Sequence, residues 1–285
     1  MTDAPARARE SASPFDRLLK RLRLTQRSEL VFEGGSGRGG ATEANRLFGG
    51  LVLGQAVMAA ARTVDQGSLH ALQAQFLGPS QAGEPLHVEV ESLKNGRQFS
   101  SRLVRVRQGD RIMLAALASF TTFTSKALAH QRPMPNVPAP EGQPNRDAVR
   151  GRSDWQTAPI DIRLCSDALP DPTQPHEPAL RFWLRANGQV PTDEPQLHAA
   201  LLAYATDRTL LGTAMLPHQG TEPRGVSLDH SVHLYRPADM SDWLLYDMDS
   251  PVAGYGRGLA RGFLYRRDGT LVGVVQQEGT LHSAR

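Results

Sequence analysis

The sequence predicts an α+β fold made of two antiparallel sheets, each wrapped around a central apolar helix. Three observations predict it. Each half of the chain carries one helix-length segment that is apolar nearly all round. Each such segment is followed by strand-like runs joined by short hairpin turns. The two halves also share a constant offset, which pairs Pro79 with Pro237, Leu86 with Leu244, Ser92 with Ser250, Gly96 with Gly254 and Asp110 with Asp268. A helix without a polar stripe has no side to show to water, so it must be enclosed. A sheet that covers it on its own has to curl around it.

In chain order, residues 1–14 are assigned to a disordered tail. They are polar and lack the apolar stretch of a secretory signal. Pro14 suits the start of a short helix over residues 14–22. A short strand is expected near residues 30–32, followed by a flexible glycine-rich loop over residues 34–40. Residues 48–62 form the first apolar helix. Strands are expected over residues 69–77, 86–93, 99–107 and 112–122, with turns at Lys94-Asn95-Gly96-Arg97 and Gln108-Gly109-Asp110-Arg111. The first half thus spans residues 15–125. Residues 126–159, rich in proline and polar residues, read as a linker. The second half, residues 160–285, repeats the plan. A strand over residues 180–185 precedes an apolar helix over residues 196–211. Strands follow near residues 226–235, 244–249, 258–266 and 271–279.

Composition narrows the function. A chain of 285 residues with a net charge of only +3 carries no nucleic-acid footprint, but it suits an anionic small ligand. The longest apolar stretches are too short to span a bilayer, so no stable membrane insertion is expected. The single cysteine, Cys165, excludes an internal disulfide and reads as a buried, inert thiol. A cytoplasmic protein is the default expectation.

Several strings in order carry a resemblance. They include Phe48-Gly49-Gly50 with Gly54-Gln55, and Asn95-Gly96-Arg97-Gln98-Phe99-Ser100 with Arg102. In the second half stand Phe182-Trp183-Leu184-Arg185-Ala186-Asn187-Gly188, Leu202-Ala203-Tyr204-Ala205-Thr206-Asp207 and Ser227-Leu228-Asp229-His230-Ser231. Arg236-Pro237, Arg257-Gly258 and Val275-Gln276-Gln277-Glu278-Gly279 follow. Over residues 15–281 the chain resembles the acyl-CoA thioesterase II family (TesB-like). The resemblance implies a double hotdog, an acyl-CoA substrate, hydrolysis to free fatty acid and coenzyme A, and association into a homo-oligomer. It also implies an active site of Asp, Thr or Ser, and Gln around a water, which falls on Asp207, Ser227 and Gln277. Ser227 replaces a common threonine and keeps the hydroxyl.

The residues support these three unequally. Asp207 ends a helix that should be buried, where a carboxylate is costly without a partner or a purpose. Gln277 shares a strand face with Leu271 and Val275, which aims its amide inward. Simple alternation groups Ser227 with Asp229, Ser231 and His233, away from Leu228 and Val232, so its place rests on the resemblance. Gly49 and Gly50 could let backbone approach the pantetheine arm. Arg97, Arg102 and Arg257 are candidates for the coenzyme's phosphates.

No cofactor or metal is expected. Gly35, Gly37 and Gly40 match G-x-G-x-x-G, but no long strand precedes them and no apolar helix follows at once. His230 and His233 lie on opposite faces of a strand, and Asp229 with His230 reads as a structural ion pair or surface contact. A serine-hydrolase elbow is absent. Two alternatives remain open: an acyl-CoA-binding or regulatory protein without catalysis, and an enoyl-CoA hydratase, whose Asp-x-Asn-Pro-x-His loop does not occur here.

Overall fold

In the computed structural model, which describes residues 12–36, 46–122 and 128–283, Ser13 caps the first helix, α1 (Pro14–Leu22). The Ser13 hydroxyl accepts from the Asp16 amide, and the Asp16 carboxylate accepts from the Ser13 amide, a reciprocal capping box. The expected tail, up to residue 11, and most of the glycine-rich stretch lie outside the described residues.

The first half continues with a hairpin, β1 (Thr25–Ser28) and β2 (Val31–Gly34), then α2 (Gly49–Ala61). A meander follows: β3 (Ser68–Phe76), β4 (Leu86–Asn95), β5 (Phe99–Gln108) and β6 (Arg111–Thr121). Residues 50–60 of α2 are buried without exception, as an all-round apolar helix requires. The strands alternate inward and outward. In β6, Leu114, Ala116, Ala118 and Phe120 face the core while Leu117 faces out.

The second half comprises β7 (Ile160–Leu164), β8 (Ala179–Ala186), α4 (Pro195–Thr206) and α5 (Leu210–Met215). After a short β9 (Pro223–Arg224) come β10 (Asp229–Leu234), β11 (Leu244–Gly254), β12 (Arg257–Arg266) and β13 (Leu271–Thr280). β14 (His282–Ser283) pairs with β9.

The two sheets join edge to edge into one sheet of twelve strands, ordered β1-β2-β4-β5-β6-β3-β10-β13-β12-β11-β8-β7. Read from either end, the order is the same, and the seam is the antiparallel pair β3–β10, with Asp229 opposite Gln75 and His233 opposite Ala71. The double hotdog is therefore a pseudo-symmetric pair sharing one backbone ladder. Inside it, α2 and α4 pack on each other.

Glycine makes that contact possible. A Cβ on Gly50 would lie 2.6 Å from the Tyr204 carbonyl oxygen, and one on Gly54 would lie 3.1 Å from the Ala200 carbonyl oxygen. Phe48 and Tyr204 close the crossing edge to face, with ring centroids 5.1 Å apart.

Three expectations change. The helix expected over residues 196–211 breaks after Thr206, because Thr209 leaves helical geometry (φ −130°) and the Arg208 amide falls back to the Ala205 carbonyl at 3.2 Å. The strand expected from residue 226 begins at Asp229, and Ser227 forms only an isolated bridge to Gly279. The segment between the halves is not a free spacer. It carries α3 (Arg146–Val149), which packs on β7. Upstream, Trp183 donates to the Pro138 carbonyl at 2.8 Å. Met134 and Val137 cover an outer cluster of Trp183, Trp243, Leu245 and Tyr265. No described helix is long and apolar enough to cross a membrane.

Candidate active site

Asp207 ends α4, Gln277 points inward from β13, and Ser227 precedes β10. The structure brings all three together. Gln277 Nε2 donates to Asp207 Oδ1 at 2.6 Å and to Ser227 Oγ at 3.0 Å. Gln277 Oε1 accepts from the Leu211 amide at 3.1 Å. That amide lies in the first turn of α5, where a helix has N–H groups without intrahelical partners. The amide of Gln277 is thereby oriented: oxygen toward the helix, nitrogen toward the carboxylate and the hydroxyl.

The Asp207 side chain is only 5% exposed. Burial pushes its pKa up to about 6, opposed by the Gln277 hydrogen bond and the backbone N–H of Gly50. Its position at the carboxyl end of α4 acts in the same direction as burial, since the helix dipole disfavours an anion there. The N-terminus of α2 faces the carboxylate from the other half. A Cβ on Gly49 would lie 3.0 Å from Asp207 Oδ2. Gly49 and Gly50 therefore make room for the carboxylate and for Tyr204, a task in the site's own packing that needs no ligand.

Ser227 faces inward although alternation groups it with the outward Asp229. Periodicity misleads because residue 227 lies outside the continuous ladder. For Gln277 the inward face holds, and Val275 shares it, but Leu271 packs in the outer cluster. A bulge between Leu264 and Tyr265 reverses the strand there.

The structure corrects the expectation that Asp229 and His230 form an ion pair or surface contact. The His230 side chain is fully buried, and Asp229 instead accepts from the Glu278 amide at 2.6 Å. His230 Nδ1 lies 3.8 Å from Asp207 Oδ1 and has no hydrogen-bond partner among the described residues. Nε2 lies 3.1 Å from Thr206 Oγ1, whose hydroxyl donates to the Leu202 carbonyl at 2.9 Å. The proton is therefore assigned to Nε2. Burial lowers the His230 pKa to about 3, so the ring is neutral. The signal that could have found it is alternation itself, which groups His230 with Val232 and Leu234.

The candidate phosphate arginines fare differently. Arg102 is 2% exposed and gives its donors to Thr63 Oγ1 and carbonyl, Lys94 carbonyl, Ser101 carbonyl and Asn95 Oδ1. It ties the β4–β5 hairpin to the end of α2 and has no donor left for a phosphate. Arg97 is exposed in that hairpin turn, at the end of α2 remote from Gly50. Arg257 is partly neutralised by Glu278 at 3.4 Å.

Comparison with known proteins agrees with this architecture. The family model for the Acyl-CoA thioesterase N-terminal domain matches residues 38–121, and that for the C-terminal domain matches residues 129–281. The chain is 35% identical to Acyl-coenzyme A thioesterase 8 of Rattus norvegicus, covering 84% of this chain and 81% of the relative. It is 31% identical to Acyl-CoA thioesterase 2 of Haemophilus influenzae, covering 94% of this chain and 97% of the relative. Among solved structures, Acyl-CoA thioesterase II TesB2 from Mycobacterium marinum superposes with a TM-score of 0.79 at 33% identity, covering 94% of this chain and 98% of that one. The two domain matches in chain order, on a double-hotdog frame, show that this chain belongs to the TesB-like acyl-CoA thioesterase II family.

Proposed function

We propose that this chain hydrolyses fatty acyl-CoA to free fatty acid and coenzyme A by direct attack of a water held by Asp207, Ser227 and Gln277. The observation that carries the reading is one connected set: a buried carboxylate with a raised pKa, bonded through an oriented Gln277 to Ser227. With a pKa of about 6, Asp207 is ionised at neutral pH yet basic enough to receive a proton. The water oxygen attacks the thioester carbonyl carbon while a water proton passes to Asp207. The C–S bond then breaks, and the proton goes to the departing thiolate. Ser227 Oγ already accepts from Gln277, so its own hydrogen is free for the water or the carbonyl oxygen.

Thiol release across acyl-CoA chain lengths tests this. We expect release by the wild type and a loss on the order of a thousandfold in Asp207→Ala, the scale of a lost general base. No release at any chain length would refute hydrolysis, and undiminished release in the variant would refute the site.

Homo-oligomer formation belongs to the same reading. Among the described residues, the outer face of the first half keeps Phe99 and Leu117 exposed. Cys165, expected to be buried, is only partly so; burial still raises its pKa to about 12, which leaves the thiol unreactive.

A further inference from the structure

Beside α5 lies a cleft of about 690 Å³ whose rim carries Arg146, Arg150 and Arg208 and whose wall includes Leu169, Leu180 and Phe182. Its size is that of a small-molecule site. Arg146 and Arg150 belong to the segment between the halves, and Arg208 follows Asp207 directly.

The charges in this cleft do not balance: it is lined by three arginines, while its carboxylates are Asp171 on the lining and Asp147 beside it. Asp147 binds two of the three guanidinium groups, Arg146 at 3.0 Å and Arg208 at 2.7 Å. That triad anchors α3 to the end of α4 and would serve a purely structural role. It leaves Arg150 with no hydrogen bond or ion pair to fix its guanidinium among the described residues, and Arg208 Nε buried without a partner. The Arg146 side chain is 8% exposed. Three guanidinium groups against Asp147 and the exposed Asp171, partly desolvated, still repel one another, and an anion would relieve that repulsion. The crowding is visible in Arg146, whose pKa falls to about 10 through burial and the neighbouring Arg150 and Arg208.

The cleft also lies close to the proposed chemistry. Thr209, two residues after Asp207, is part of its lining. Tyr204 lies within electrostatic reach of Arg208 and Asp147 of this cluster and of Asp207 in the site.

We propose that this arginine-lined cleft is a phosphate-binding subsite that holds the phosphate-bearing end of the substrate's coenzyme A. The assignment rests on the thioesterase reading above. Arginine suits the task through its forked donors, and Leu169, Leu180 and Phe182 offer an apolar wall to a nucleotide base. Arg150 is the discriminating residue because it is exposed and unfixed, so its replacement leaves the core intact.

The test compares two thioesters of the same acyl chain, acyl-CoA and acyl-pantetheine, which lacks the nucleotide and its phosphates. Wild type is first shown to release thiol from acyl-CoA, and from acyl-pantetheine at raised concentration; no release from acyl-CoA counts against hydrolysis and not against the cleft. In Arg150→Gln we expect the ratio of kcat/KM for acyl-CoA to that for acyl-pantetheine to fall about tenfold, carried by KM. Arg150→Lys should recover part of it. An unchanged ratio in Arg150→Gln would overturn the subsite. Inorganic phosphate separates the sources of the anion. For a substrate subsite it raises KM for acyl-CoA alone. An equal effect on both thioesters would mark a free-anion site and overturn the assignment to coenzyme A.

Discussion

At Asp207 burial and the end of α4 raise the pKa while Gln277 and the Gly50 amide lower it, and the balance settles at about 6 against an ordinary 3.8. Two consequences follow from the sign. The proposed base must be ionised, so kcat/KM should rise with pH through about 6 and level off above it; a profile flat from pH 5 to 8 would contradict the role. A folded pKa above the unfolded one means that the protonated form is favoured by folding. That stability is full below about pH 4 and is lost as pH rises through about 6, a difference of up to about 3 kcal/mol. Asp207→Asn removes the charge, although an NH2 group that cannot accept replaces one of the two carboxylate oxygens. We therefore expect the variant's stability relative to wild type to improve between pH 4 and pH 8, by up to about 3 kcal/mol in urea titrations, while activity is lost.

Glycine sets the geometry at the level of elements. Gly50 and Gly54 let α2 meet the carbonyls of α4, and Gly50 brings its amide to Asp207. Gly50→Ala would place a methyl group 2.6 Å from a backbone oxygen, which the helices can relieve only by parting. We expect a loss of about 1–3 kcal/mol, read as a lower midpoint in thermal unfolding, together with reduced thiol release. Gly54→Ala meets its backbone neighbour at 3.1 Å and the end of the Leu22 side chain at 2.7 Å, a clash a rotamer shift can relieve, and should cost less. The lack of a polar stripe showed that both central helices are enclosed. It did not show where α4 would stop, since Asp207-Arg208-Thr209 contains neither proline nor glycine.

The whole molecule divides its labour between the halves. Gln277, Ser227 and Asp207 come from the second half, but the Gly50 amide comes from the first, and the β3–β10 ladder runs through the seam. Calorimetry on the full chain should therefore show one cooperative transition. Residues 128–285 alone should give no thiol release, because they lack α2 and leave β10 as an open edge. Two separate transitions, or an active second half, would contradict the shared core.

The sequence by itself determined the duplicated plan, the enclosed helices, the meanders and the inward aim of Gln277, because burial writes a period of 2 into half-buried strands and removes the polar stripe from an enclosed helix. Its strings also singled out Asp207, Ser227 and Gln277. Only the tertiary structure decided the single twelve-stranded sheet, the burial of His230 beside Asp207 and the full occupation of Arg102. The same holds for the inward turn of Ser227 from a segment outside the ladder and for the docking of α3. These depend on which distant segments meet, and periodicity along one element carries no record of its partners.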